Sequence, residues 1–527
     1  MEELIRIFDG QKPGAIEDQD QSKKAKIMEQ LFPDGSIIPS SLQWWKDCLL
    51  GIVDFSDHEK FFAVGNPDTL ATQFSGFSAT QAPVGNYALL TAAADVPNSS
   101  QLRTQLTHLT PRPLGLQPSF GFGDRLGLAT PGHAAATKQF GQGISAIFCQ
   151  QSIREMMRTE RSPEEVLSTA TWGAFRAGWL QPIGADADHL KTLEDLDITA
   201  QAGFCFFTID PSDYVDQCAD NYSPAEIEKK FQALLDDGVP GTELFLSLYD
   251  GNSFDLDGSK NKLHFETGAL KRAAVKYGRA LVHIAAMTRH AEKLMGQSGF
   301  DLEISVDETD QPTTVLEHLF LALELQRNNI PVTSLAPRFI GDFEKGIDFR
   351  GDITAFIDAL KIHAAIASQY GPYKISLHSG SDKFSVYPPI AEVCDGKFHV
   401  KTAGTSYLEA LRVICRVNPE LFSEIVTFCR ERFPIDRATY HISANLDQTP
   451  TVTGLSPEQL EQYYLTDDNG RQLLHVTFGS VLTVKDGNRF RFKDDLLATL
   501  RTESQLHEDL LVKHFGKHLS LLQRESI

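Results

Sequence analysis

From Leu114 onward the chain keeps one rhythm. A short apolar run ends in polar residues, and a stretch with helical spacing follows. Eight runs of this kind occur. They carry Phe120-Gly121-Phe122, Ala146-Ile147-Phe148-Cys149, Ile183-Gly184-Ala185, Phe204-Cys205-Phe206-Phe207, Leu302-Glu303-Ile304, Val332 through Leu335-Ala336, Ile375-Ser376-Leu377 and Phe398-His399-Val400. Between them lie helix starts such as Ser162-Pro163-Glu164-Glu165 and Ser223-Pro224-Ala225-Glu226. Each has a capping hydroxyl, a proline at the first helical position and acid in the first turn. Strand–helix alternation predicts a parallel sheet, and eight units predict an α/β fold closed into a (β/α)8 TIM-like barrel over residues 111–435. The rival is an open doubly wound sheet holding a dinucleotide, which calls for a complete glycine fingerprint after a strand. Gly121-Phe122-Gly123 lacks the third glycine and runs into Asp124-Arg125.

Three segments exceed the minimal barrel. About 90 residues separate the fourth and fifth runs, with Tyr249-Asp250-Gly251-Asn252-Ser253 and a helical pattern from about Glu266 to Met295. Glu266 reads as a partner of that helix's dipole. After the eighth run, helical segments near 405–417 and 420–432 run down and back, which would bring Tyr440-His441-Ile442-Ser443 to the barrel mouth near His441. Residues 436–527 are expected to pack on the barrel as a C-terminal segment with a helical tail. Residues 1–110 read as an N-terminal extension with short helical patterns, a small-residue stretch from Ser75 to Ser100 and no polar constellation. Pro111-Arg112-Pro113 marks its end.

Composition narrows the class. Hydrophobic residues are 42% and charged residues 23%, ordinary for a globular protein, and no apolar run is long enough for a membrane span. The net charge is −21 with no basic run, so neither nucleic acid nor an anionic membrane is an expected partner. Seven scattered cysteines without a CxxC fit buried free thiols in a reducing compartment. Met1-Glu2-Glu3-Leu4-Ile5-Arg6 is acidic and amphipathic, unlike a signal peptide, so a cytoplasmic location is expected. The expected partners are a small sugar or sugar acid and further copies of the chain.

Barrel enzymes carry their chemistry at the C-terminal strand ends. Here those ends hold Asp124 and Arg125, Gln150 and Gln151, Asp186, Asp188 and His189, Asp210, Asp307 and Glu308, Arg338, His378 and Lys383, and His399, Lys401 and Thr402. Asp186-Ala187-Asp188-His189 is the densest cluster. It reads either as a helix cap or as a metal ligand, His189, beside a carboxylate base, Asp188. His378, followed by small residues that leave room for a ligand, is the second expected metal ligand. Two imidazoles with carboxylates suit Zn, Mn, Fe, Co or Ni better than Ca. Glu308 is the natural third member, as ligand or as acid/base, with Glu344, Asp348 and His441 as rivals. Arg338, Lys383 and Lys401, with Arg125 and Arg154 behind them, form a cationic set for an anionic substrate. Asp124, Gln150, Gln151 and Asp210 suit sugar hydroxyls.

The motifs also carry a resemblance. Phe122-Gly123-Asp124-Arg125-Leu126-Gly127, Gln150-Gln151-Ser152-Ile153-Arg154-Glu155-Met156, Asp186-Ala187-Asp188-His189-Leu190-Lys191-Thr192 and Phe207-Thr208-Ile209-Asp210-Pro211-Ser212 resemble the bacterial tagaturonate/fructuronate epimerase family. So do Ser305-Val306-Asp307-Glu308-Thr309, Leu335-Ala336-Pro337-Arg338-Phe339, Leu377-His378-Ser379-Gly380-Ser381-Asp382-Lys383 and Lys401-Thr402-Ala403-Gly404-Thr405. The likeness runs in order over roughly residues 115–410. It implies a divalent-metal-dependent 4-epimerisation of D-tagaturonate to D-fructuronate, with the neutral pair tagatose and fructose as further substrates. The C–H at C4 lies β to the ketone and is not acidic, so the implied route is retro-aldol cleavage between C3 and C4 and re-formation on the other face. On this reading His189 and His378 hold the metal, Asp188 and Glu308 move protons, and Asp124, Gln151, Arg338, Lys383 and Lys401 bind substrate. A Schiff base on Lys401, hydride transfer through a nicotinamide, a metal-dependent sugar aldolase or isomerase, and a non-enzymatic sugar-binding protein are the alternatives.

Overall fold

The structure, a computed structural model, describes residues 14–15, 18–55, 57–256 and 262–524. Met1–Arg6, read above as an acidic amphipathic start, lie outside the described residues. Eight parallel strands close a barrel in chain order: β1 (Ser119–Phe122), β2 (Ser145–Ser152), β3 (Ile183–Leu190), β4 (Phe206–Ile209), β5 (Asp301–Ser305), β6 (Ser334–Ala336), β7 (Lys374–Leu377) and β8 (Phe398–Thr402). Each overlaps one of the eight runs, and the third extends past its run to Leu190. The last pair seals the barrel, with His399 opposite Ser119 and Thr402 opposite Phe122. The open-sheet rival is thereby excluded. The helix starts at Ser162 and Ser223 both form capping boxes, and the long helix after β4 spans Thr267–Met295. Glu266 is the N-cap of that helix but makes no side-chain cap bond.

The barrel's interior departs from the usual filling of branched apolar side chains. Only its floor is apolar, where Leu114, Ile147 and Phe206 form a small cluster. Above it the inward positions are polar. Lys374 Nζ lies 3.0 Å from Ser119 Oγ, which meets His399 Nδ1 at 2.9 Å, and Ser334 donates to Glu303. The large apolar residues of the strands face the surrounding helices instead. Phe122 packs on His133 at 4.8 Å and on Phe515 at 5.2 Å between ring centroids.

The first hundred residues differ from the short helical patterns expected of them. They hold an antiparallel sheet whose long strands are Cys48–Asp54, Glu59–Gly65, Ala79–Val84 and Tyr87–Ala93. Its two central strands are largely buried on both faces, so they show no apolar–polar alternation to reveal them. Phe61 from this sheet packs against Trp172 and Phe175 of the barrel helix Pro163–Arg176. After β8, helices Thr405–Val417 and Pro419–Asp436 lead into a second apolar cluster. The final helix, Ser504–Leu521, returns to lie on helix Thr130–Phe140 and on Phe120 and Phe122. All seven cysteines are unpaired, and all except Cys218 are buried. No helix among the described residues is long and apolar enough to cross a membrane.

This packing buries several imidazoles away from water. Burial pushes His133 and His518 down to about 3, and His507 and His363 down to about 4. In the unfolded chain these groups titrate near their ordinary value, about 6.5. Below that pH the unfolded state binds more protons, so stability falls as pH drops from about 6.5 toward about 4. Denaturant midpoints should decline across that window, by up to about 1.4 kcal/mol per pH unit for each such histidine. His507→Leu should flatten the decline, because His507 Nε2 is buried without a hydrogen-bond partner among the described residues. An unchanged slope in this variant would remove His507 from the account.

Candidate active site

Two bulges set the geometry at the barrel mouth. Along β3, Ala187 pairs with Phe207 but Leu190 pairs with Ile209, so three steps on one strand match two on the next. His189 takes up the extra residue in a left-handed conformation, φ 52°, which a β-branched or bulky side chain adopts only under strain. The bulge lets consecutive residues, Asp188 and His189, turn to the same space. A second bulge on β2 sets Ala146 opposite Ile183 but Cys149 opposite Ala185. It carries Gln150 to the interior, where its amide donates to Asp188 Oδ2 at 3.3 Å.

The centre of the site is a buried ammonium. Lys401 Nζ lies 2.9 Å from Asp186, 2.8 Å from Asp188 and 2.8 Å from Glu303, and donates to Thr208 Oγ1 at 2.6 Å. Burial opposes its charge, but the three carboxylates hold its pKa above the usual lysine range. The same burial would raise Asp188, yet His189, Lys401 and His378 keep it far below the usual carboxylate range. A lysine so held has its ammonium engaged by three carboxylates and a hydroxyl, an arrangement that does not favour attack by a free amine.

Each metal-ligand candidate is oriented by a carboxylate. His189 Nδ1 meets Asp210 Oδ2 at 3.2 Å, so Nε2 is the nitrogen turned to Asp188, 3.8 Å away. His378 Nε2 donates to Glu303, and Nδ1 faces Asp188 at 4.0 Å and Asp307 at 3.3 Å. The two rings stand edge to face, 5.1 Å apart. Asp188, His189 and His378 offer ligand atoms that all lie within 4.8 Å of one another. That spacing fits one cation with bonds of about 2.0–2.2 Å, and the donor set suits a transition metal or zinc. Burial would lower both imidazoles, but Asp188 lifts His189 to about 9 and Asp307 with Glu303 lifts His378 to about 10. The carboxylates thus make this a place that draws positive charge.

The site opens into a cleft of about 520 Å³. Arg154, Asp307, Glu308, Arg338, Lys345, Ser379, Tyr440 and His441 line it with the two histidines. Glu308 pairs with Arg154 at 2.9 Å on one wall. The chain returns to the mouth near His441, as the helix pattern predicted.

Several expected site residues serve other ends. Lys383 is fully buried and gives its ammonium to the main-chain carbonyls of Glu344, Ile347 and Ser381. Asp124 accepts from the main-chain N–H groups of Leu126, Gly127 and Ala129, which organises the turn after β1. Gln151 turns away and meets Glu155 at 3.5 Å. Arg125 pairs with Glu155 and stacks on Phe478, 3.5 Å from the ring centroid. Among the rival third ligands, Glu344 accepts from Ser443 and Gln472, and Asp348 from Phe349 and Ser385. His441 is exposed beside Asp342. Glu303 was missed altogether. Its one sequence signal is an acid inside an apolar strand run. A second His/Asp group, Asp382 with His514 and His518, is a structural hub: Arg471 pairs with Asp382 at 2.7 Å, and the Asp382 N–H occupies His518 Nε2.

Comparison with known proteins agrees with this architecture. A family model described as tagaturonate epimerase matches residues 38–522. A tagaturonate/fructuronate epimerase of Thermotoga maritima is 45% identical over 426 residues, covering 81% of this chain and 85% of that protein. A crystal structure of the fructuronate–tagaturonate epimerase of Cohnella laeviribosi with one glycerol superposes with a TM-score of 0.86 at 32% identity, covering 95% of this chain and 99% of that one. Its two-glycerol form gives 0.87, covering 96% and 100%.

Replacing Lys401 by methionine should leave Asp186, Asp188 and Glu303 buried without their counter-charge. Urea unfolding should show a loss of about 3–5 kcal/mol. A loss below about 1 kcal/mol would mean that the carboxylates find other partners.

Proposed function

The chain belongs to the tagaturonate epimerase family and is a carbohydrate epimerase, and on that premise we propose that it inverts C4 of D-tagaturonate to give D-fructuronate, with a divalent metal held by Asp188, His189 and His378. The observation that carries the metal is the convergence of these three side chains beneath the cleft, each imidazole already oriented by its own carboxylate. A bound ion would supply Lewis acidity to the substrate's ketone. Mn, Co, Ni, Zn and Fe all suit the donors.

The protein's own groups divide the remaining work. Asp188 has one oxygen engaged by Lys401 and the other by Gln150, so it serves as a ligand and not as the proton acceptor. Glu308, on the cleft wall and partly exposed, takes the proton of the C4 hydroxyl. The C3–C4 bond then breaks, leaving an aldehyde at C4 and an enediolate on the other fragment. The aldehyde turns, the bond re-forms on its opposite face, and Glu308 returns the proton to the new C4 oxygen. Nothing is oxidised or reduced, so the route needs no nicotinamide. Arg338 borders the space where the sugar lies and is retained as a substrate-binding residue, with Lys401 acting through the carboxylates it holds. Neutral tagatose and fructose fit the same chemistry at their shared carbons.

The test is an epimerisation assay on protein stripped by chelator and reloaded with single metals, offered D-tagaturonate and D-tagatose in parallel. Metal-dependent fructuronate is expected, and no conversion of either sugar with any metal would overturn the reading. Glu308→Gln should lower kcat by about 10²–10⁴-fold with KM little changed. His189→Ala and His378→Ala should lose bound metal by elemental analysis as well as activity.

A further inference from the structure

The cleft contains a cation whose position has no structural explanation. Lys345 sits in the loop after β6, half-buried, and lines the cleft. Its ammonium makes one side-chain hydrogen bond, to Ser379 Oγ at 3.1 Å. Among the described residues no carboxylate lies within ion-pair distance of it. Of the other cations near the site, all but Arg338 are fully engaged by groups of the protein itself. Arg154 is paired with Glu308, Lys401 is neutralised by three acids, and the Lys383 ammonium gives its hydrogen bonds to main-chain carbonyls. Arg338 gives one arm of its guanidinium to the Thr309 carbonyl. Lys345 therefore keeps two N–H donors and a full charge for whatever enters the cleft.

Its tether gives the location meaning. Ser379 directly follows His378, so the ammonium is fixed beside one of the metal-binding imidazoles. Lys345 lines the same cleft as His189, His378 and Arg338, so its ammonium is open to the acid group of a sugar acid held there. We propose that Lys345, positioned by Ser379, binds the C6 carboxylate of the substrate and sets the preference of this enzyme for sugar acids over neutral ketoses. This rests on the epimerase reading above. A charge-assisted hydrogen bond to a carboxylate is among the stronger single contacts a site can make, whereas a C6 hydroxymethyl gains only a neutral one.

The experiment compares metal-loaded wild type with Lys345→Met, Lys345→Arg and Ser379→Ala. Steady-state kinetics are measured on D-tagaturonate, and D-tagatose is used as substrate and as competitive inhibitor. Lys345→Met should raise KM for the acid by roughly 10–100-fold with kcat within about twofold. The inhibition constant of D-tagatose should stay within about twofold. Lys345→Arg should recover most of the loss, and Ser379→Ala should show a smaller KM effect of the same kind. Equal losses for acid and neutral sugar, or an unchanged KM for the acid, would overturn the proposal. If wild type leaves D-tagaturonate unconverted, the epimerase reading fails. Calorimetric binding of D-galacturonate and D-galactose to wild type and Lys345→Met then decides the inference separately: a weakened acid with an unchanged neutral sugar supports it, and any other pattern overturns it.

Discussion

One ammonium holds the barrel together at its centre. Lys401 is taken out of water, which is costly, and is compensated by Asp186, Asp188, Glu303 and the Thr208 hydroxyl. Each of these carboxylates comes from a strand other than that of the lysine. Glu303 orients His378, and Asp188 faces both imidazoles, so the placement of the two rings depends on a charge that reaches them through these carboxylates. Remove that charge and Asp186, Asp188 and Glu303 are left buried close together with less to offset their mutual repulsion. The polar filling of the barrel is the consequence: with so much charge in the middle, the apolar weight of the strands must face outward onto the helices.

The barrel itself was legible because its strands are short apolar runs and its helices begin with clear caps. The two histidines and Asp188 were legible because they stand at strand ends, where a barrel displays its chemistry. What alternation could not show was which way a side chain turns after a bulge. Gln150 and Gln151 are adjacent and chemically identical, and only the irregular pairing between β2 and β3 selects Gln150. Lys383 and Asp124 sit at strand ends too, but main-chain groups of their own loops consume them. Loop carbonyls and N–H groups compete for such residues and leave no trace in composition. Glu303 failed in the opposite direction, since an acid within an apolar run looks like an exposed position of a half-buried strand.

The segments outside the barrel contribute by restraint. The tail brings Ser443 and Gln472 to Glu344, and Arg471, His514 and His518 to Asp382. Both acids lie on loops that border the cleft, so the loops after β6 and β7 are fixed from behind by residues far along the chain. The N-terminal sheet braces the opposite side through Phe61. Its two central strands were hidden in the sequence because burial on both faces removes the pattern that identifies a strand.

The orientation of both imidazoles before any ion arrives has a bearing on metal choice. A flexible site can reshape itself around a favoured ion and so prefer it. Here the ring planes are fixed by Asp210 and Glu303, and neither ring can turn without abandoning a buried partner. Holding a metal as proposed, such a cradle would not select an ion by reshaping around it, and affinities would follow the general order of the first transition series. Occupancy would then depend on supply in the surroundings as well as on the donors, so the metal found in purified protein would report the history of the preparation as much as the design of the site.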